Sequence, residues 1–209
     1  MNPDDRIRIL SVDDHPMLRE GIAAVLSIEQ DMVLVAEAAN GREAIEQFRA
    51  HHPDVVLMDL QMPLMNGTDA ILAIRQEFPA ARIIVLTTYS GDAQAVRAFN
   101  AGASGYLLKN MVRRELVDTI RSVHAGKKRI PPEIAVEMAE HHMDDALTDR
   151  EIQVLQEVAA GNANKVVALH LKVSEETVKA HMKSILSKLG ANDRTHAVTI
   201  ALKRGIIYI

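Results

Sequence analysis

The sequence predicts an α/β fold, a doubly wound five-stranded parallel sheet over residues 1–125, followed by a small all-α four-helix unit. Three observations lead there. Short β-branched runs at 7–12, 33–37, 54–58, 82–87 and 105–108 alternate with amphipathic stretches at 16–28, 41–50, 67–77, 92–101 and 111–124. Five such units in succession require crossover connections, which are right-handed and make the strands parallel. After residue 146 the strand-like runs stop, and apolar residues recur only at helical spacing.

Punctuation along the chain agrees with these elements. Pro53 and Pro79 mark two helix-to-strand connections, and Gly102 and Gly105 bracket a third. From 126 to 146 the pattern changes: Lys127-Lys128-Arg129 precedes Pro131-Pro132, a helical stretch at 133–140, and the polar run His141-His142-Met143-Asp144-Asp145. This segment reads as a linker containing one short helix. In the last unit, 147–209, Thr148 and Glu151 form a capping box, and Ile152, Leu155, Val158 and Ala159 follow at helical spacing. Gly161 closes that helix. A second runs over 163–171; a third, 175–189, is capped by Ser174 and ended by Gly190. A fourth covers 193–204, with Asn192 offered as its cap. Leu155, Val167, Leu171, Val178, Ile185, Leu189 and Ala197 supply a core for about 60 residues.

Composition narrows the function classes. The chain has 209 residues, 48% of them hydrophobic, enough for two modest cores. No apolar run approaches the roughly 18 to 20 residues of a membrane span, and the N-terminus lacks a secretory layout, so a cytoplasmic protein is expected. Zero cysteines exclude disulfides and thiolate metal sites. An aromatic content of 3% argues against a base-stacking platform for single strands. Residues 1–145 carry 15 Lys and Arg against 22 Asp and Glu, whereas residues 146–209 carry 9 against 6, so an overall charge of −4 conceals a basic C-terminal unit.

The strand ends carry the chemistry. Asp59 follows Val55-Val56-Leu57-Met58, Asp13-Asp14 follow the first strand, Thr87 ends the fourth, and Lys109 follows the fifth. Open parallel sheets keep their reactive groups at this carboxyl edge. A carboxylate there can act as nucleophile toward a phosphoryl group if a divalent cation neutralises the accumulating charge. Mg²⁺ takes oxygen ligands and keeps several waters, so Asp13, Asp14, Asp59 and the backbone carbonyl of Gln61 suffice to hold it. Thr87 offers a hydroxyl and Lys109 a point charge to phosphoryl oxygens. Taken singly, the acid pair reads as a helix cap, Thr87 as a strand residue and Lys109 as a solvated side chain; their joint placement at successive strand ends favours a site. His15 reads as part of the rim.

Val12-Asp13-Asp14-His15, Met58-Asp59-Leu60-Gln61-Met62-Pro63, Asn66-Gly67, Leu86-Thr87-Thr88 and Gly102-Ala103-Ser104-Gly105-Tyr106-Leu107-Leu108-Lys109 resemble the landmarks of a receiver domain of two-component signalling, with a flavodoxin/CheY-like sheet. The resemblance covers residues 5–125. It implies that Asp59 accepts phosphate from a sensor histidine kinase, that the acid pair binds Mg²⁺, and that Thr87, Tyr106 and Lys109 respond to the phosphate.

In the basic unit, 163–171 and 174–189 have the layout of a helix-turn-helix. Val178, Met182, Ile185 and Leu189 turn inward, leaving Lys179, Lys183 and Ser187 on one outer face. That face, the positive balance and a capped helix start favour contact with double-stranded DNA. Leu147-Thr148-Asp149-Arg150-Glu151, Asn164-Lys165, Val173 through His181, Lys188-Leu189-Gly190 and Arg194-Thr195 resemble a LuxR-type DNA-binding domain. Joined to a receiver, this is similar to response regulators of the NarL/FixJ class. The resemblance puts Lys179, Ala180 and Lys183 toward bases and Lys165, Thr177 and Lys188 nearer phosphates. Val166-Val167 departs from the Glu-Ile pair common there. Helix-turn-helix units of this size bind as dimers on two half-sites, and Thr195, Val198, Thr199 and Leu202 form the expected pairing surface.

The expectation is therefore a transcriptional regulator switched by phosphorylation of Asp59, which promotes a homodimer and promoter binding, rather than a turnover enzyme. A Mg²⁺-dependent phosphohydrolase is the alternative, but such enzymes place a second acid where this chain has Gln61. A constitutive DNA-binding protein with a degenerate receiver is another, against which the complete acidic set argues.

Overall fold

The computed structural model describes residues 6–88, 91–132, 134–136 and 147–207. The chain divides into two compact units, Met1–Thr88 with Ala95–Pro132 and Tyr89–Gln94 with Glu133–Ile209, and the last of these boundaries falls inside the stretch 126–146 read as a linker. Within that linker, only 134–136 of the stretch 133–140 are described, and they are helical; the run 141–145 lies outside the described residues.

The first unit holds strands β1 (Ile7–Val12), β2 (Met32–Ala38), β3 (Val55–Asp59), β4 (Ile83–Thr87) and β5 (Gly105–Leu108). All pair in parallel, in the order β2-β1-β3-β4-β5. Helices α1 (Pro16–Ser27), α2 (Gly41–His51), α3 (Gly67–Glu77), α4 (Asp92–Ala101) and α5 (Val112–His124) connect or follow the strands. Every residue of β3 and β4 is buried, as a central parallel strand covered on both faces requires. On one face Ile9, Leu57, Ile84, Leu86 and Leu107 pack with Ile22 and Leu26 of α1 and Leu116, Ile120 and Val123 of α5. The last helix starts at Val112, behind a 3₁₀ turn over Lys109–Met111, not at 111 as its periodicity suggests.

The second unit holds α6 (Asp149–Ala159), α7 (Asn164–Leu171), α8 (Glu175–Leu189) and α9 (Arg194–Lys203). The Thr148 capping box is present in full, and Ser174 caps α8 by accepting the Thr177 amide. Asp193, not Asn192, caps α9: it has the extended backbone that a cap needs, and its carboxylate accepts the His196 amide at 2.8 Å. Val154, Leu155, Val167, Val178, Ile185, Ala197 and Ala201 are buried in a core common to the four helices, with Leu171 packed against it.

Candidate functional site

The sheet topology explains why the acids meet. β1 and β3 are neighbours, so Asp13, just past β1, and Asp59, the last residue of β3, end side by side on the carboxyl edge. Both are buried. Lys109 follows β5 and reaches over β4: its Nζ lies 2.8 Å from Asp59 Oδ2 and 2.8 Å from Asp13 Oδ2. Thr87 ends β4 between them and is buried.

Backbone groups fix the acids. The His15 amide donates to Asp13 Oδ1 at 2.9 Å, and the Gln61 amide donates to Asp59 Oδ1 at 3.3 Å. The Arg19 guanidinium donates to the Asp13 carbonyl at 2.6 Å, holding the turn after β1. After Asp59 the chain turns back, and the Gly67 amide donates to the Leu60 carbonyl at 3.0 Å. A Cβ on Gly67 would stand 2.0 Å from the Asp59 carbonyl oxygen, so only glycine admits this return. Leu64, in the same loop, is left-handed at φ 65° and largely exposed.

Burial pushes the Asp59 pKa above the usual carboxylate value, the hydrogen bond and charge of Lys109 oppose that shift, and the charge of Asp13 reinforces it. For Lys109 burial acts downward, but its hydrogen bonds to Asp13 and Asp59 outweigh it, and the ammonium is held more firmly than in water. Three carboxylates around one ammonium leave an excess of negative charge that a divalent cation would neutralise. The donor set fits Mg²⁺: carboxylate oxygens of Asp13, Asp14 and Asp59 lie within 4.8 Å of one another. Asp13 Oδ2 and Asp14 Oδ1 are buried oxygens without a well-directed hydrogen bond among the described residues, the first 2.8 Å from the Lys109 ammonium and the second 2.8 Å from the His15 ring. His15, read as rim, belongs to this cluster: its Nδ1 is 2.8 Å from Asp14 Oδ1 and 3.1 Å from Asp13 Oδ1. The acids are not N-caps of α1; His15 holds that position and makes no side-chain cap.

Tyr106 lies on β5 opposite Val85 and is completely buried, its ring 6.4 Å from that of Phe99. It sits deeper than a tyrosine with a wetted hydroxyl would.

In the second unit a left-handed residue, Lys172 at φ 55°, turns the chain from α7 toward α8. Val178, Met182, Ile185 and Leu189 face the core, while Lys179, Ala180, Lys183 and Ser187 are exposed. Lys165 is exposed near the start of α7, and Val166 points outward beside the buried Val167. Lys179 Nζ is 2.8 Å from Glu176, and Thr177 shares a hydroxyl contact of 2.8 Å with Ser174. Lys188, grouped in the sequence with phosphate contacts, instead directs its ammonium to Glu151 at 2.7 Å. Glu151 is buried and also accepts from Ser184 at 2.6 Å and from the Thr148 amide at 2.7 Å. Burial raises its pKa, but Lys188, Ser184 and Thr148 together prevail and hold it at about 2. On α9, Thr195 and Thr199 are exposed, whereas Val198 and Leu202 already pack against the unit's own core.

Sequence comparison bears on both units. Residues 9–121 match the family described as response regulator receiver domain, and residues 145–201 match bacterial regulatory proteins of the luxR family. The transcriptional regulatory protein LnrK of Bacillus subtilis is 36% identical, covering 96% of this chain and 98% of its own. The response regulator protein VraR of Staphylococcus aureus is also 36% identical, covering 96% and 99%. Among solved structures, response regulator ChrA of a heme-sensing two-component system is similar with a TM-score of 0.57 and 35% identity, over 97% of this chain and 100% of the other. RcsB from Salmonella enterica serovar Typhimurium, bound to promoter P1flhDC with the phosphomimetic BeF₃⁻, gives a TM-score of 0.72 at 25% identity, over 96% and 99%. This chain belongs to the response regulators of two-component systems that join a receiver domain to a LuxR-type DNA-binding domain, and it is a transcription regulator of that kind. Among the described residues, no helix is long and apolar enough to cross a membrane.

Proposed function

We propose that Asp59 accepts a phosphoryl group from the phosphohistidine of a sensor histidine kinase and that this modification promotes dimerisation and promoter binding in the cytoplasm. The observation that carries the reading is the Asp13–Lys109–Asp59 cluster at the carboxyl edge of the sheet. An Asp59 carboxylate oxygen attacks phosphorus, the N–P bond to the donor imidazole breaks, and an acyl phosphate remains on Asp59. Asp13, Asp14, Asp59 and the Gln61 carbonyl would hold Mg²⁺, which supplies charge neutralisation for the phosphoryl oxygens. Lys109 exchanges its contact with Asp59 for one with a phosphoryl oxygen, and Thr87 donates its hydroxyl to another. Tyr106 then responds to the new position of Thr87.

On the DNA side, Lys179, Ala180 and Lys183 face the major groove, while Lys165 and Thr177 approach phosphates; Lys188 acts there only if it leaves Glu151. Thr195, Val198, Thr199 and Leu202 form the pairing surface on half-sites. The reading is tested by loading the protein with Mg²⁺ and a small phosphodonor. Stoichiometric acid-stable, base-labile phosphate on the wild type and none on Asp59→Asn is expected; equal labelling of both would contradict it. Steady hydrolysis of phosphomonoesters would favour a phosphohydrolase instead.

A further inference from the structure

β5 is an edge strand: one side pairs with β4, and the other would present open backbone groups. That side is occupied by the chain itself. The glycine after α5, Gly126 at φ 82°, reverses the backbone, and Arg129 then pairs with Gly105 as a one-residue parallel bridge. The Arg129 amide donates to the Ser104 carbonyl at 3.1 Å, and the Tyr106 amide donates to the Arg129 carbonyl at 2.9 Å. The Arg129 side chain is exposed, so the bridge is made by its backbone.

The same strand ends at Leu108, directly before Lys109, whose ammonium touches Asp59. A four-residue strand spans only about 13 Å and does not bend easily. Asp59, Lys109, Tyr106 and Arg129 therefore lie on one short, continuous path. Two residues beyond Arg129 come Pro131 and Pro132, whose fixed φ angles stiffen the chain where it leaves the receiver unit. A displacement of β5 would reach Arg129 through these two backbone hydrogen bonds.

We infer that Arg129 is a positioning residue which, through its backbone bridge to Ser104 and Tyr106, couples the Asp59 site to the linker leading to the DNA-binding unit. This rests on the phosphorylation reading above and adds the route by which it acts. Arg129→Pro removes the amide that binds Ser104; Arg129→Ala keeps the bridge and removes only the exposed side chain.

The experiment uses the full chain with Mg²⁺ and beryllofluoride, and duplex DNA selected by the wild type from a random pool. Beryllofluoride uptake is followed by ¹⁹F resonance, DNA affinity by titration, and backbone exchange by hydrogen–deuterium mass spectrometry. A wild-type affinity gain of about tenfold should be retained in Arg129→Ala and fall below about twofold in Arg129→Pro, with uptake unchanged in both. A full gain in Arg129→Pro would overturn the inference while leaving the phosphorylation reading intact; no gain in wild type would remove both. Where Arg129→Pro does not fold, wild-type exchange decides: protection at the Tyr106 and Arg129 amides should change severalfold with beryllofluoride, and not in Asp59→Asn. Unchanged exchange at both amides would overturn the coupling.

Discussion

The Lys188 ammonium lies 2.7 Å from Glu151 Oε2, tying the last turn of α8 to the first turn of α6. Lys188→Met leaves a buried carboxylate with hydrogen bonds but no counter-ion, and should lower stability by about 1–3 kcal/mol. Chemical denaturation of the wild type and variant checks it. The salt dependence of DNA binding should change little, because this cation is engaged within the protein.

The same carboxylate sets an acid limit. Glu151 has a folded pKa of about 2 against an ordinary 4.5, so the unfolded chain binds its proton first. Its contribution is complete above about pH 4.5 and is lost as the pH falls toward 2. Thermal melts of Glu151→Gln against wild type should differ most above that window and converge below it.

Lys179 and Lys183 are exposed on the outer face of α8. Replacing Lys183 by Ala should weaken DNA binding and relax sequence preference, whereas replacing the exposed Lys165, proposed to meet phosphate, should reduce the slope of log K against log salt by about 1. Lys179→Ala should likewise act on sequence preference, as its proposed place toward the bases requires. Glu176→Gln should raise affinity for random DNA, because Glu176 holds the Lys179 ammonium at 2.8 Å in the free protein. Titrations at several salt concentrations separate these effects.

Asp59→Asn removes one of the carboxylates around Lys109. In chelator it should raise Tm by a few degrees, equivalent to about 1 kcal/mol for a domain of this size. Added Mg²⁺ should stabilise wild type more than the variant, since the variant has lost a charged ligand. Scanning calorimetry with and without Mg²⁺ measures both.

Gly67→Ala tests the loop that follows Asp59. The added Cβ would meet the Asp59 carbonyl oxygen at 2.0 Å, which is backbone and cannot yield as a side chain would. A loss of about 1–3 kcal/mol and of beryllofluoride uptake is expected, read by denaturation and ¹⁹F resonance.

What the chain disclosed beforehand was what local chemistry dictates. The runs Val55–Met58 and Ile83–Leu86 are apolar on both faces because central parallel strands are covered twice, and Thr148 with Glu151 or Ser174 before α8 are caps readable over four residues. The convergence of Asp13, Asp59 and Lys109 was legible because parallel strands deliver their ends to one edge. Contacts across folded elements were not. Glu151 reads locally as half of a capping box, and nothing in its neighbourhood announces that Lys188, 37 residues on, ends against it. Asn192 and Asp193 are both competent caps, and only the start of α9 at Arg194 decides between them. His15 joins the acids because the turn after β1 folds its ring back, and Arg129 meets β5 because Gly126 reverses the chain; both depend on backbone conformation that residue type alone does not specify.

The most direct measurement is the mass and DNA affinity of the full chain with Mg²⁺ and beryllofluoride, beside Asp59→Asn in the same buffer. A dimer with tighter, salt-sensitive DNA binding in the wild type alone is the predicted result. Identical mass and affinity for the two proteins would contradict control of DNA binding by Asp59.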